Sequence, residues 1–426
     1  MRPAPLVRAR VATLLAAGLT AFAVPTGAAQ AATVAPAPAP ATGAATQAEA
    51  VQVTGSQQLA PGVAYSSFEV QTPRGATLGY LLTADLRNPK VSLDLLHPAS
   101  VAQREVVSAM ANEQHAIAGV NGDFFNISET HAGVAPTGSS VGPAIADGRQ
   151  LKAAVPNAQR FGPGLPPGTS TRDVFAVGAD KRARVTSLEL AGEVRTPAGS
   201  IPLTGLNQYA LPVGGVGVFT SDWGSASRVR ATCGSDTSRN DPCSTETYEV
   251  TVRHGVVTSV STTPGAGQIP GDTEVLVGRE GGADQLDDLA VGDRVKIDHR
   301  LEAAERPKLT FAVGGFPILR DGAPLAGVDT KTAAVRSSAG VSADGRTVYL
   351  VALDGRSAVS KGLTIAELAD LLRSFGADDA VNLDGGGSTT VAVRAPGEST
   401  VTARNSPSDG TERAVANGIG IFAGHR

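Results

Sequence analysis

The stretch best equipped for chemistry is Asn382-Leu383-Asp384-Gly385-Gly386-Gly387-Ser388, where a carboxylate leads straight into three glycines and a hydroxyl. Three successive glycines cannot continue a packed strand, but their bare backbone lets N–H groups approach a ligand closely. A second Asn-x-Asp, Asn121-Gly122-Asp123, precedes Phe124 and Phe125, and Asp354 opens an Asp354-Gly355-Arg356 turn. The plain alternative is that such aspartates only cap their own turns, and it weighs most on Asp354. Asn121 and Asp123 could equally anchor a buried turn.

The elements around these residues can be read from pattern. Thr364 and Glu367 form a capping box, Gly376 is a stop, and Ile365, Leu368, Leu372 and Phe375 share one helical face. Thr347 to Leu353 and Ala380 to Leu383 flank this helix as strands. A right-handed crossover makes them parallel neighbours, with Asp354 and Asp384 at their carboxyl ends, where open α/β sheets place ligands. Val63 to Val70, Thr77 to Ala84 and Lys90 to Leu96 read as strands. Ser100 and Gln103 make a second capping box, with a helix to about Gln114 and a strand Ala116 to Val120 delivering Asn121. The two Asn-x-Asp units thus resemble a pseudo-repeat. The expected fold class is α/β (α+β): a mixed sheet with flanking helices, interrupted by a β-rich insertion.

The chain has 426 residues and a formal charge of −4. Arg2, Arg8 and Arg10, the apolar run Val11 to Val24 and Ala29-Gln30-Ala31 read as a secretory signal over residues 1–31. Its removal takes away three arginines and no acids, so the charge falls from −4 to −7. An acidic surface argues against nucleic-acid or anionic-membrane partners. No stretch approaches the roughly 20 apolar residues of a membrane span, so an extracellular, secreted protein is expected. Residues 32–55, rich in Ala, Pro and Thr, read as a disordered leader. The two cysteines, Cys233 and Cys243, read as a local disulfide in that compartment. Residues 151–308 alternate short Val/Thr/Leu segments with Pro/Gly turns, and are expected as a β-rich insertion between two halves, 56–150 and 309–426.

These motifs together resemble the phosphodiester glycosidase family. The resemblance rests on Asn121-Gly122-Asp123-Phe124-Phe125, Gly315-Phe316-Pro317 with Asp321-Gly322, Asp354-Gly355-Arg356, Asn382 to Ser388, and Glu412-Arg413 with Asn417. The family's Arg-Thr-Ala-aliphatic-Gly string appears as Arg336-Ser337-Ser338-Ala339-Gly340, which keeps the Arg and the Gly. The resemblance implies hydrolysis of a sugar joined through C1 to an esterified phosphate, releasing the sugar and a phosphate monoester.

That chemistry assigns roles as expectations. The leaving group is already an anion, so phosphate binding matters more than general-acid help. Arg336, Arg356 and Arg413 suit phosphate oxygens, with Ser388 and the N–H groups of Gly385, Gly386 and Gly387 completing an anion cradle. A carboxylate must meet the developing oxocarbenium ion: Asp123 or Asp384 first, then Glu412, then Asp354. Asn121, Asn382 and Asn417 could hold sugar hydroxyls, and Arg413 could instead pair with a neighbouring acid. The scattered histidines show no zinc spacing, and no cofactor is expected. The Asn-x-Asp turns leave room for a carboxylate-bound calcium ion, although no EF-hand loop is present. Two other functions stay open: a non-catalytic binder of cell-wall or exopolysaccharide phosphodiesters, and a metal-dependent phosphodiesterase.

Overall fold

The computed structural model describes residues 51–303, 307–355 and 360–424; the signal segment, most of the leader and Arg356 lie outside these. The strand Val51–Ala60 begins at Val51, so residues 51–55 leave the expected leader and join a sheet. Thr54 and Ser56 there bond across to Ser67 and Ser66 of the next strand.

The expected α/β class is overturned. Among the described residues there are three α-helices, Val107–Glu113, Gly281–Asp287 and Ile365–Ser374, against four mainly antiparallel sheets. The largest has eight strands in the order Val51–Ala60, Val63–Thr72, Gly75–Asp85, Thr347–Leu353, Ser337–Val341, Asp379–Leu383, Phe316–Arg320, Ala323–Pro324. Every neighbouring pair in it is antiparallel.

The strand that breaks the crossover expectation is Ser337–Val341. It lies between Thr347–Leu353 and Asp379–Leu383 and runs against both. Those two strands are therefore parallel but one strand apart. Ser, Ser, Ala and Gly have little strand propensity, which hides this element from pattern reading. Packing requires the small residues: a Cβ on Gly340 would stand 2.8 Å from Leu372 Cδ1 and 2.9 Å from Ala377 Cβ.

The helix Ile365–Ser374 forms as its capping box dictates, Thr364 Oγ1 accepting from Glu367 N at 3.2 Å and Glu367 Oε2 from Thr364 N at 2.8 Å. Ile365, Leu368 and Leu372 are buried against Phe68, Val351 and Ala380 of the eight-stranded sheet. Each such side chain contributes about 1.5–3 kcal/mol. The other face of that sheet, with Leu82, Leu350, Ala339, Val381 and Leu383, packs on a five-stranded sheet through Val120, Ile419 and Ile421. That second sheet runs Thr402–Ala403, Val391–Val393, Ala118–Asn121, Gly418–Ala423, Val91–Leu96.

Beyond Lys152, the described residues up to 308 hold nine strands and the helix Gly281–Asp287. Four of the nine share a sheet with Leu309–Gly314 and Ala144–Ala146; the other five form a sheet of their own. The described residues form one compact unit. Cys233 and Cys243 are joined as a disulfide. No described helix is long and apolar enough to cross a membrane.

Candidate functional site

The two Asn-x-Asp turns, at the ends of strands in different sheets, are bonded directly to each other. Asp384 N donates to Gly122 O at 2.9 Å, and Asn121 Nδ2 donates to Asp384 O at 2.7 Å. Asn121 Oδ1 accepts from Ser337 Oγ at 2.6 Å and Thr390 N at 3.1 Å, so one buried amide ties three chain segments together. Asn417 clamps the first turn: its carbonyl accepts from Gly122 N and its Oδ1 from Asp123 N, both at 2.9 Å. A side chain on Gly122 would collide with that Oδ1. Asn121 and Asn417, expected to hold sugar hydroxyls, thus spend these groups on the turns.

Asp384 is half-buried at the lip of this junction. Its carboxylate accepts from Gly385 N at 2.9 Å and from the Ser388 hydroxyl. Arg413 Nη1 donates to Ser388 Oγ at 3.3 Å, and the same guanidinium pairs with Asp409. Burial pushes Asp384 from 3.8 up to about 6, against the opposing pull of Ser388, the Gly385 N–H and the Arg413 charge. It is a carboxylate set to exchange a proton near neutrality.

Asp123 differs. It is 1% exposed, its Oδ2 accepts from Gly142 N at 2.6 Å, and its Oδ1 has no partner among the described residues. Burial raises its pKa, partly offset by the Gly142 N–H and by Lys152. Its charge and that of Asp384 interact, but its carboxylate is walled off from solvent, which removes it from direct attack on a substrate.

Other expected site residues have structural work. Glu412 accepts from Ser108 N at 2.8 Å and Ser108 Oγ at 2.7 Å, satisfying the first turn of the helix Val107–Glu113 from 304 positions away in sequence. That helix starts at Val107 behind Val106, which gives no side-chain cap, so the expected Ser100/Gln103 box does not form; those two side chains only bond each other. Asp354 Oδ1 accepts from Gly355 N at 3.1 Å and Ser406 N at 2.6 Å, the plain turn reading. Arg336 is buried, donating to the carbonyls of Leu363 at 3.2 Å and Thr332 at 2.8 Å. Asn382 is fully buried, with neither amide atom hydrogen-bonded among the described residues.

The glycines also answer mainly to protein. Gly385 N–H turns in to Asp384 and Gly386 N–H to Val335 O, so two of the three expected cradle donors are occupied. A Cβ on Gly387 would collide with Arg413 and Asp409, while Gly386 at φ +61° faces open space. The residues that pattern reading missed are Asp409, Asn405, Gly142 and Lys152. Asn405 holds Thr389 O and Val391 N at 2.8 and 3.0 Å. Only Asp409 carried a signal, four residues before Arg413. Three carboxylates that converge, Asp321, Asp378 and Asp379, sit at the opposite end of the strand Asp379–Leu383 from Asp384.

The phosphodiester glycosidase family model matches residues 246–422. This segment is similar to the phosphodiester glycosidases. It bears out the motif resemblance and includes Asp384, Ser388, Arg413 and Asn417, while the Asn121–Asp123 turn lies ahead of it. A protein from Synechocystis has the same fold at TM-score 0.65 and 21% identity, over 88% of this chain and 68% of its own. One from Burkholderia pseudomallei gives 0.66 and 22%, over 88% and 97%. The catalytic domain of zebrafish N-acetylglucosamine-1-phosphodiester alpha-N-acetylglucosaminidase, auto-inhibited by its pro-peptide, gives 0.43 and 14%, over 89% and 88%, too distant to carry residue roles. No curated protein matches the sequence.

Proposed function

We propose that this chain is an exported hydrolase of glycosyl phosphodiesters, splitting the bond between sugar C1 and an esterified phosphate. Export rests on the signal-like N-terminus, and the reaction class on the family segment. The observation that carries the reading is Asp384: a half-buried carboxylate, pushed up to about 6, beside a Ser388–Arg413 pair on an open glycine turn. Asp384 serves as nucleophile or as base for water at C1, and the Arg413 guanidinium, steadied by the buried Ser388 hydroxyl, faces the departing phosphate. Water contributes its hydroxyl to the sugar and its proton to the phosphate monoester.

The test is incubation of the purified protein with an α-sugar 1-phosphodiester. Sugar and phosphate monoester should appear in equal amounts, and Asp384→Asn should abolish both. Binding without release of sugar would make the protein a phosphodiester-binding module instead. Oxygen from labelled water found in the phosphate rather than the sugar would make it a phosphodiesterase.

A further inference from the structure

Behind the two turns lies a buried lysine with no part in the reaction just described. Lys152 ends the strand Arg149–Lys152 and is 1% exposed. Its Nζ donates to the carbonyls of Gly142 at 2.5 Å, Ala153 at 2.7 Å and Val141 at 3.4 Å. Three acceptors use all three protons of an ammonium group, a pattern that a neutral amine cannot satisfy. A buried ammonium needs a counter-charge. Gly142, held by Lys152 through its carbonyl, donates its N–H to Asp123 Oδ2 at 2.6 Å. A Cβ on Gly142 would stand 2.6 Å from Gly314 Cα, so the glycine admits no side chain. The other ionisable groups whose fields reach Asp123 are Asp384 and the Tyr209 hydroxyl; His97, Arg149 and Asp222 line the hollow beside Lys152.

We propose that Lys152 is a positioning residue: acting through Gly142, it holds Asp123 ionised and in place, and thereby fixes the Asn121–Asp123 turn on which Asp384 hangs. The consequence for catalysis rests on the reading of Asp384 above, but the charge pairing does not, so its test has a readout that needs no turnover.

Lys152→Met, Asp123→Asn and the double variant are made in the full chain, and urea midpoints are measured from about pH 5 to about pH 8. Lys152→Met strands a buried acid whose folded pKa lies above its unfolded value, so its midpoint should fall as pH rises. Asp123→Asn strands a buried ammonium whose folded pKa lies below its unfolded value, so its midpoint should fall as pH drops. The double variant should lose both slopes and lie above the level expected from adding the two single losses. Additive losses, or single variants with the wild-type pH dependence, overturn the pairing. Should one single variant not fold, the slope of the other and the midpoint of the double still decide. On the diester, Lys152→Met should lower kcat by about tenfold or more with KM little changed; unchanged kcat overturns the positioning role. If the wild type turns over no diester, the proposed function fails while the urea result still judges the pair.

Discussion

Asn121 and Asp384 are 263 residues apart in sequence and share a hydrogen bond of 2.7 Å, from the Asn121 amide to the Asp384 carbonyl. With its other atom the amide accepts from Ser337 and Thr390, so the position of the Asp384 turn depends on a side chain from the other sheet. Replacing Asn121 by Leu strands several buried partners at once. The expected loss is about 3 kcal/mol or more in urea unfolding, with activity reduced even where the variant folds. A loss below about 1 kcal/mol would show that the two turns hold themselves.

Asp384 gives a pH signature. If its ionised form does the work, kcat/KM should fall tenfold per pH unit below about 6, where its carboxylate takes up a proton. Stability should move the opposite way. Its folded value is raised from 3.8, so the stability it contributes is fully present below about pH 4 and is lost as pH rises through about 6. Asp384→Asn should therefore match or exceed the wild type in urea midpoint at pH 8 while losing activity. A variant less stable at that pH would mean that the carboxylate braces the fold.

What the sequence disclosed followed from local chemistry. Thr364 with Glu367 named a helix start, because both halves of a capping box lie within one turn of chain. Asp384 with its glycines named a strand end, because nothing else suits three such residues. What stayed hidden was settled by distant chain. Ser337–Val341 is a strand because its neighbours want small residues, which no propensity scale registers. Glu412 looked like an acid free for catalysis because its partner, Ser108, is 304 positions away. The glycines suggested an empty cradle, whereas Val335, Asp409 and Arg413 fill much of the space that their missing side chains leave.

Glu412 can be tested as a cap. Glu412→Ala removes the acceptors of Ser108 N and Oγ and should cost about 1–2 kcal/mol. Glu412→Gln keeps one acceptor and should recover part of that loss. In both variants kcat/KM should stay within about threefold of wild type, under 1 kcal/mol of transition-state stabilisation. A loss of several orders of magnitude in folded Glu412→Gln would return this residue to the catalytic set.

Arg413 meets Asp409, Ser388 and the charge of Asp384 together. Lysine keeps the charge but not the fork. Arg413→Lys should therefore weaken diester turnover about tenfold to a hundredfold, in the range of one or two charge-assisted hydrogen bonds. Most of the effect should fall on substrates whose phosphate is esterified, and an equal loss on a neutral aryl glycoside would argue against a phosphate contact.

The second turn has its own buried asparagine, and it should behave differently from Asn121. Asn382 is as deeply buried, yet neither its Oδ1 nor its Nδ2 has a partner among the described residues. Leucine has a similar shape and leaves no protein group stranded, so Asn382→Leu should change stability by less than about 1 kcal/mol. The same exchange at Asn121 should cost several times more. Equal losses at the two positions, measured side by side in urea, would show that the Asn382 amide also holds a partner in solution, and would restore it as a candidate for contact with the sugar.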